Sequence, residues 1–265
     1  MQTITDAMKK TAFPDLVSLL TNGQPTRVWS LLLTVFGELA QGEDAKISST
    51  LLGRLSALMG IKPEAMRVAL HRLRKDGWLQ SERIGRTSAY SLTDWGRSQS
   101  ADATPRIYDL HPTPSQAWLA LYDLADPLRG DDSDGVWVAA NLLMTVRPPT
   151  HGRAYVMPVL PDAQLPDWMS QNICQSELVA LTQEFHGRLA QVQIAIAHVQ
   201  PMDDLEVSVL RILIVDGWRR IALRAPQLPA HVFPDDWMGQ PCRETVAAIL
   251  STYEKQSIGK LEAAL

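Results

Sequence analysis

After Pro25 and Thr26, Val28, Leu31, Leu32, Val35, Phe36 and Leu39 recur at i, i+3, i+4, i+7, the spacing of one buried stripe on a helix. A polar loop over residues 41–46 leads to Ser48 and Ser49, candidate N-caps for a second helix whose buried face is Leu51, Leu52, Leu55, Leu58 and Met59. Gly60 ends that helix. A third follows at once: Pro63 suits the first helical turn, where its missing N–H costs nothing, and Glu64 lies near the positive end of the helix dipole. Met66, Ala69, Leu70 and Leu73 share one face of it; Arg67, His71, Arg74 and Lys75 fall largely on the other, and Gly77 closes it. Two helices joined by a short glycine-containing turn, the second basic on its outer side, form a helix-turn-helix pattern.

After Trp78 the period changes to alternation. Residues 79–83 and 87–92 read as paired strands, with Ile84, Gly85 and Arg86 as the hairpin turn. A hairpin with arginines at its tip, after a basic helix, is a wing. Thr93 caps a short helix through Trp95 and Arg97, and Thr104-Pro105 with residues 111–114 marks a linker. Residues 118–122 and 136–141 read as buried strands separated by an acidic loop over 126–135. Prolines 148, 149, 158, 161 and 166 break up the path to Asp167. Helices return from about residue 172: one through 198, a second from 203 toward 223, and a third after Pro241 reaching at least 253.

The whole is therefore an α+β chain, and its 265 residues suffice for two or three small domains. No apolar run approaches the roughly 18 to 20 residues of a membrane span, and residues 1–10 lack the apolar centre of a signal peptide, so a cytoplasmic protein is expected. The two cysteines, Cys174 and Cys242, are far apart and have no Cys/His pair at metal spacing. They read as thiols, not as a disulfide or zinc site. Six tryptophans, Trp29, Trp78, Trp118, Trp137, Trp218 and Trp237, lie in or beside apolar runs and read as core anchors.

The formal net charge of −4 argues against a nucleic-acid partner only until it is divided along the chain. Residues 62–97 hold eight basic and four acidic residues, a net +4, so the remainder carries −8. Affinity for phosphate follows the field at the contact and not the total. In a major groove, Arg67, Val68 and His71 face the bases; Lys62, Arg74 and Lys75 hold phosphates, and Arg72 on the flank can do either. Arg83, Arg86, Thr87 and Ser88 of the wing reach backbone or the adjacent minor groove. A winged helix that binds protein, or a solvated basic helix without a partner, would have the same local pattern.

Enzyme motifs do not support a catalytic reading: there is no nucleophile elbow, no glycine-rich phosphate loop and no paired acidic metal motif. No cofactor or metal is expected. Asp123, after the first central strand, reads either as a turn former or as the carboxylate of a metal-dependent nuclease.

With these residues laid out, the chain resembles the PaaX-type repressors, regulators of phenylacetate catabolism. The resemblance runs from Ser30 to Arg97, through Arg67, Asp76-Gly77-Trp78, Arg83, Gly85-Arg86, Ser88, Tyr90, Leu92-Thr93 and Gly96. It resumes from Arg219 to Gln240, through Arg219-Arg220, Pro226, Leu228-Pro229, Pro234, Asp236-Trp237 and Gly239. The resemblance implies three parts: a winged helix-turn-helix DNA-binding domain over 1–100, a central ferredoxin-like, Cas2-like domain over 101–170, and a helical C-terminal effector and dimerisation domain over 171–265. It implies a homodimer on double-stranded operator DNA, released by an aryl-acyl-coenzyme A such as phenylacetyl-CoA. The alternative that goes with the central domain is a Cas2-like nuclease targeted by the winged helix. The chain departs from the family pattern at the acidic loop 126–135, where the family has an arginine-rich helix, and at Ala225 and Trp218, where it usually has aspartate and tyrosine. Because coenzyme A carries several phosphates, the effector candidates are Arg147, Arg153, Arg188, Arg211, Arg219 and Arg220.

Overall fold

A computed structural model describes residues 12–21, 27–85, 87–109, 114–125, 135–150, 153–199 and 201–265. Arg86 of the wing, residues 111–113 of the expected linker and 126–134 of the acidic loop lie outside the described residues. The fold is α+β, with two compact units: one takes Met1–Tyr108, Gly187–Arg219 and Thr245–Leu265, the other Asp109–His186 and Arg220–Glu244. Among the described residues no helix is long and apolar enough to cross a membrane.

In the first unit, α1 (Phe13–Thr21) precedes α2 (Val28–Leu39), whose predicted stripe is buried from Leu31 to Leu39. The two-residue strand β1 (Ile47–Ser48) leads into α3 (Ser49–Leu58), and the Ser48 hydroxyl caps that helix by accepting from the Leu51 N–H at 3.0 Å. Gly60, at φ 73°, turns the chain into α4 (Pro63–Lys75), which packs on α2 and α3 through Met66, Ala69, Leu70 and Leu73. Strands β2 (Leu79–Ile84) and β3 (Thr87–Leu92) pair antiparallel from Leu79↔Leu92 to Ile84↔Thr87, and β1 joins the far side of β3. Gly85, at φ 61°, takes the left-handed conformation the tight turn needs.

The helix after Thr93 is longer than its sequence predicts. The Thr93 hydroxyl accepts from the Gly96 N–H at 3.0 Å, but α5 runs from Asp94 to Tyr108 with Pro105 inside it. Thr104-Pro105 is thus helix and not linker. Tertiary bonds hold the segment: the Gln41 side-chain amide donates to Ser100 Oγ and Thr104 Oγ1, and Trp218 Nε1 donates to the Ile107 carbonyl at 3.0 Å. The first unit also holds α10 (Ile258–Ala263) and the greater part of α8 (Asp204–Ala222).

In the second unit, β4 (Ala117–Tyr122), β5 (Gly135–Ala139), β6 (Leu142–Thr145) and β7 (Ala154–Val159) form an antiparallel sheet in the order β5-β6-β4-β7. One face, carrying Ala117, Val138, Met144 and Val159, packs with Met169 and Ile173 of α6 (Asp167–Ile173), Leu178 and Val179 of α7 (Ser176–Ile196), and Leu228, Val232 and Phe233. Ala120, Tyr122 and Leu143 cluster on the other face with Trp137, Ala154 and Val156. The last long helix is α9 (Gly239–Thr252). Of the six tryptophans expected in the core, Trp218 alone is fully buried; the other five are half-buried.

Candidate nucleic-acid interface

Burial of Met66, Ala69, Leu70 and Leu73 fixes the rotation of α4 about its axis, so the positions between them must face outward. Glu64, Arg67, Val68, His71, Arg72, Arg74 and Lys75 are all exposed. Lys62, just before the helix, is exposed too, as are Arg83 and Thr87 on the hairpin; Ser88 is half-buried. The predicted cationic residues of helix and hairpin are therefore on the surface.

Their mutual contacts are few and weak. Arg67 Nη1 lies 3.6 Å from Glu64 Oε1, and Arg72 Nε 3.4 Å from Asp76 Oδ2, both exposed pairs on one helix. Such pairs are worth about 0 to 1 kcal/mol and rearrange readily when another anion arrives. Arg72 also lies over the Trp29 ring, 4.9 Å from its centroid, which tethers it to α2 at the flank of the exposed face. At the hairpin, Arg83 Nε donates to the Gly85 carbonyl at 3.2 Å and the Thr87 hydroxyl to the Ile84 carbonyl at 3.1 Å. Lys46 pairs with Glu82 at 2.7 Å, which removes one carboxylate from competition at the hairpin. Chemically, the surface offers guanidinium and ammonium donors around one exposed valine and one imidazole.

Behind α2 lies a buried polar network that periodicity did not reveal. Arg211 Nε donates to Glu38 Oε1 at 2.6 Å, and its Nη1 donates to the Leu250 and Tyr253 carbonyls. Tyr108 OH donates to Glu38 Oε2 at 2.5 Å; burial first, and the Glu38 carboxylate second, raise the phenol above its ordinary range. One turn earlier on α2, the Thr34 hydroxyl donates to Asp216 Oδ1 at 3.0 Å and accepts from Arg219 Nη1 at 2.9 Å. Glu38 in α2 and Asp216 in the apolar run of α8 are polar residues set among apolar ones, but nothing local names their partners.

The six arginines considered for an effector divide between the two units. Arg211 and Arg219 hold the network just described, and Arg188 Nη1 donates to the Leu20 carbonyl at 3.2 Å. These three belong to the first unit. Arg147, Arg153 and Arg220 belong to the second and are exposed. Asp123 is exposed and accepts the Ala125 N–H at 3.0 Å, a turn-forming bond. Among the described residues no group of three His, Cys, Asp or Glu side chains is placed to hold a metal ion.

Comparison with known proteins gives the class. Residues 27–96 match the family model described as PaaX-like protein, and residues 173–262 match that of the PaaX-like protein C-terminal domain. The chain belongs to the PaaX-type family. Its similarity extends to the transcriptional repressor PaaX of Escherichia coli strain K12, with 27% identity over 285 residues covering 91% of this chain and 89% of that one. It is also similar to a solved structure, the uncharacterized protein Rv0674 from Mycobacterium tuberculosis, at 19% identity and a TM-score of 0.46, covering 89% of this chain and 97% of that one.

Proposed function

We propose that the chain is a DNA-binding transcriptional repressor that grips its operator with a winged helix-turn-helix formed by α3, α4 and the β2–β3 hairpin. The observation that carries this is the outward face of α4, with Arg67, Val68 and His71 exposed together beside a hairpin bearing Arg83. Arg67, Val68 and His71 meet base edges; Lys62, Arg74 and Lys75 hold phosphates; Arg72, tethered at the flank, joins the latter. Arg83, Thr87 and Ser88, with Arg86, position the hairpin on the backbone or in the neighbouring minor groove. The match to a transcriptional repressor over 91% of the chain supports repression as the outcome.

The central residues, 101–170 in the three-part reading, act as the ferredoxin-like, Cas2-like part. The order β5-β6-β4-β7, with the first central strand between the third and the fourth, favours that reading. Residues 1–100 bind DNA, and residues 171–265 bind the effector and hold the dimer together. As a cytoplasmic homodimer, the protein places two copies of α4 in successive major grooves, roughly 34 Å apart. The effector is an aryl-acyl-coenzyme A such as phenylacetyl-CoA. Within residues 171–265, Arg188 and Arg220 are the candidates to meet its phosphates, with Arg147 and Arg153 of the central part as alternatives, while Arg211 and Arg219 are committed to the network behind α2. By linkage the effector binds the DNA-free form more tightly, and DNA weakens the effector by the same factor.

The test is affinity of the full-length protein for duplexes enriched from a random-sequence pool, with and without phenylacetyl-CoA. Sequence-selective binding that weakens with the thioester supports the reading. Selective binding indifferent to it removes the effector assignment, and an absence of selective binding removes the repressor.

A further inference from the structure

Val68 is 70% exposed at the middle of α4. A β-branched residue there restricts its own rotamers against the preceding turn and gains no burial within the chain in return. Between Glu64 and Lys75 it is the one exposed apolar side chain; its outward neighbours are Glu64 one turn before, Arg67 beside it, His71 and Arg72 one turn after and Lys75 two turns after. An interface for another protein has an apolar centre and a polar rim. Here the apolar part is a single branched aliphatic ringed by charge, too small to be the centre of such an interface. A surface that presents one small apolar knob among hydrogen-bonding groups and anions is the major groove edge of DNA, where thymine alone of the four bases carries a methyl group.

We propose that Val68 determines operator specificity by packing against the 5-methyl group of a thymine in the same half-site as a guanine read by Arg67. The proposal rests on the reading of α4 as a groove-binding helix. Arg67, its side chain 69% exposed, is paired among the described residues with the exposed Glu64 carboxylate at 3.6 Å, a weak pair that lets its guanidinium turn toward guanine O6 and N7. Arg67 and Val68 point about 100° apart around the helix axis, so they reach different base pairs of one half-site. Each half-site therefore contains a thymine and a guanine. The thymine contributes through its methyl group, with no hydrogen bond.

The experiment replaces thymine by deoxyuridine, which deletes that methyl and leaves base pairing intact. Duplexes enriched by the full-length protein are resynthesised with each thymine so replaced, and the affinity of the wild type and of Val68→Ala is measured for each. At one thymine per half-site the wild type should lose about fourfold in affinity, the factor that burial of one methyl group provides. Val68→Ala should lose less than about twofold there. An equal loss in both proteins, or no thymine that responds, overturns the role of Val68 while selective binding itself stands. If no sequence is enriched at all, the groove-binding reading falls and takes this inference with it. Val68→Ala replaces an exposed residue with a stronger helix former, so unaltered circular dichroism of the variant guards against misfolding.

Discussion

Arg211 Nε and Glu38 Oε1 lie 2.6 Å apart with both side chains buried, so α8 is joined to α2 by a charged bond with almost no access to water. Removing one partner leaves the other charge buried and alone, whereas removing both removes the desolvation cost as well. Arg211→Ala and Glu38→Ala should therefore each destabilise the fold by about 3 to 5 kcal/mol. The double variant Glu38→Leu with Arg211→Met should lose much less than the sum. Urea denaturation of the four proteins decides it, and additive losses would mean that the pair is not coupled.

The helix α10 supports the first unit in a different way. Glu262 accepts from the Ser48 N–H at 3.1 Å and from its hydroxyl at 3.0 Å, while that hydroxyl caps α3. A further tie comes from Lys260, which pairs with Asp204 at 2.6 Å. Glu262→Ala should cost about 1.5 to 3 kcal/mol, the range for a hydrogen bond to a charged group. It should also speed proteolytic cleavage after residue 253, and a cleavage rate equal to the wild type would contradict the strap.

Both thiols are buried, and burial raises them from an ordinary 9.0: Cys174 to about 11, with Asp236 adding and Arg224 opposing, and Cys242 to about 12. The folded chain thus keeps these protons after the unfolded chain has lost them. Their contribution to stability is complete below pH 9 and fades as pH climbs through 11 and 12, at up to roughly 1.4 kcal/mol per thiol per pH unit. Urea midpoints should fall between pH 9 and pH 11, and less steeply in Cys174→Ala/Cys242→Ala. Parallel profiles would mean that the thiols do not contribute.

Much of the N-terminal part was legible because its elements are amphipathic and punctuated. The stripe from Leu31 to Leu39, the Ser48 cap, Pro63 at a helix start and the positive φ at Gly77 and Gly85 all follow from local rules. The exposed side of α4 was legible for the same reason: burying Met66, Leu70 and Leu73 dictates what faces out. The central sheet was harder. Pro158 argued against a strand, yet it lies in β7 at a sheet edge, where a missing N–H costs little. Strand β6 follows β5 so closely that one apolar run hid two strands. The extension of α5 through Pro105 and the Glu38 network depend on partners more than 50 residues away in sequence, which no local pattern reports. Gly96, a position of the family motif, has a steric reason: a Cβ there would overlap the Trp78 carbonyl oxygen, so the start of α5 packs too closely on Trp78 to admit a side chain.

Reading and holding residues on α4 are separable by experiment. Arg67→Ala should relax preference at one base pair of each half-site, at a cost of about 1 to 3 kcal/mol on the preferred sequence. Lys75→Ala, at the last turn of α4, should weaken all sequences about equally. Binding to a panel of single-base operator variants compares the two, and identical profiles would erase the distinction.

If the cationic face of α4 and its hairpin meets DNA phosphate, affinity must fall steeply as salt rises. For the full-length protein on its enriched duplex, log affinity should fall linearly with log salt, with a slope of about −0.9 for each phosphate neutralised. Several such contacts are expected, and Lys75→Ala should reduce the slope by about one unit. Weak binding that barely changes with salt, or a slope untouched by Lys75→Ala together with Arg74→Ala, would contradict it.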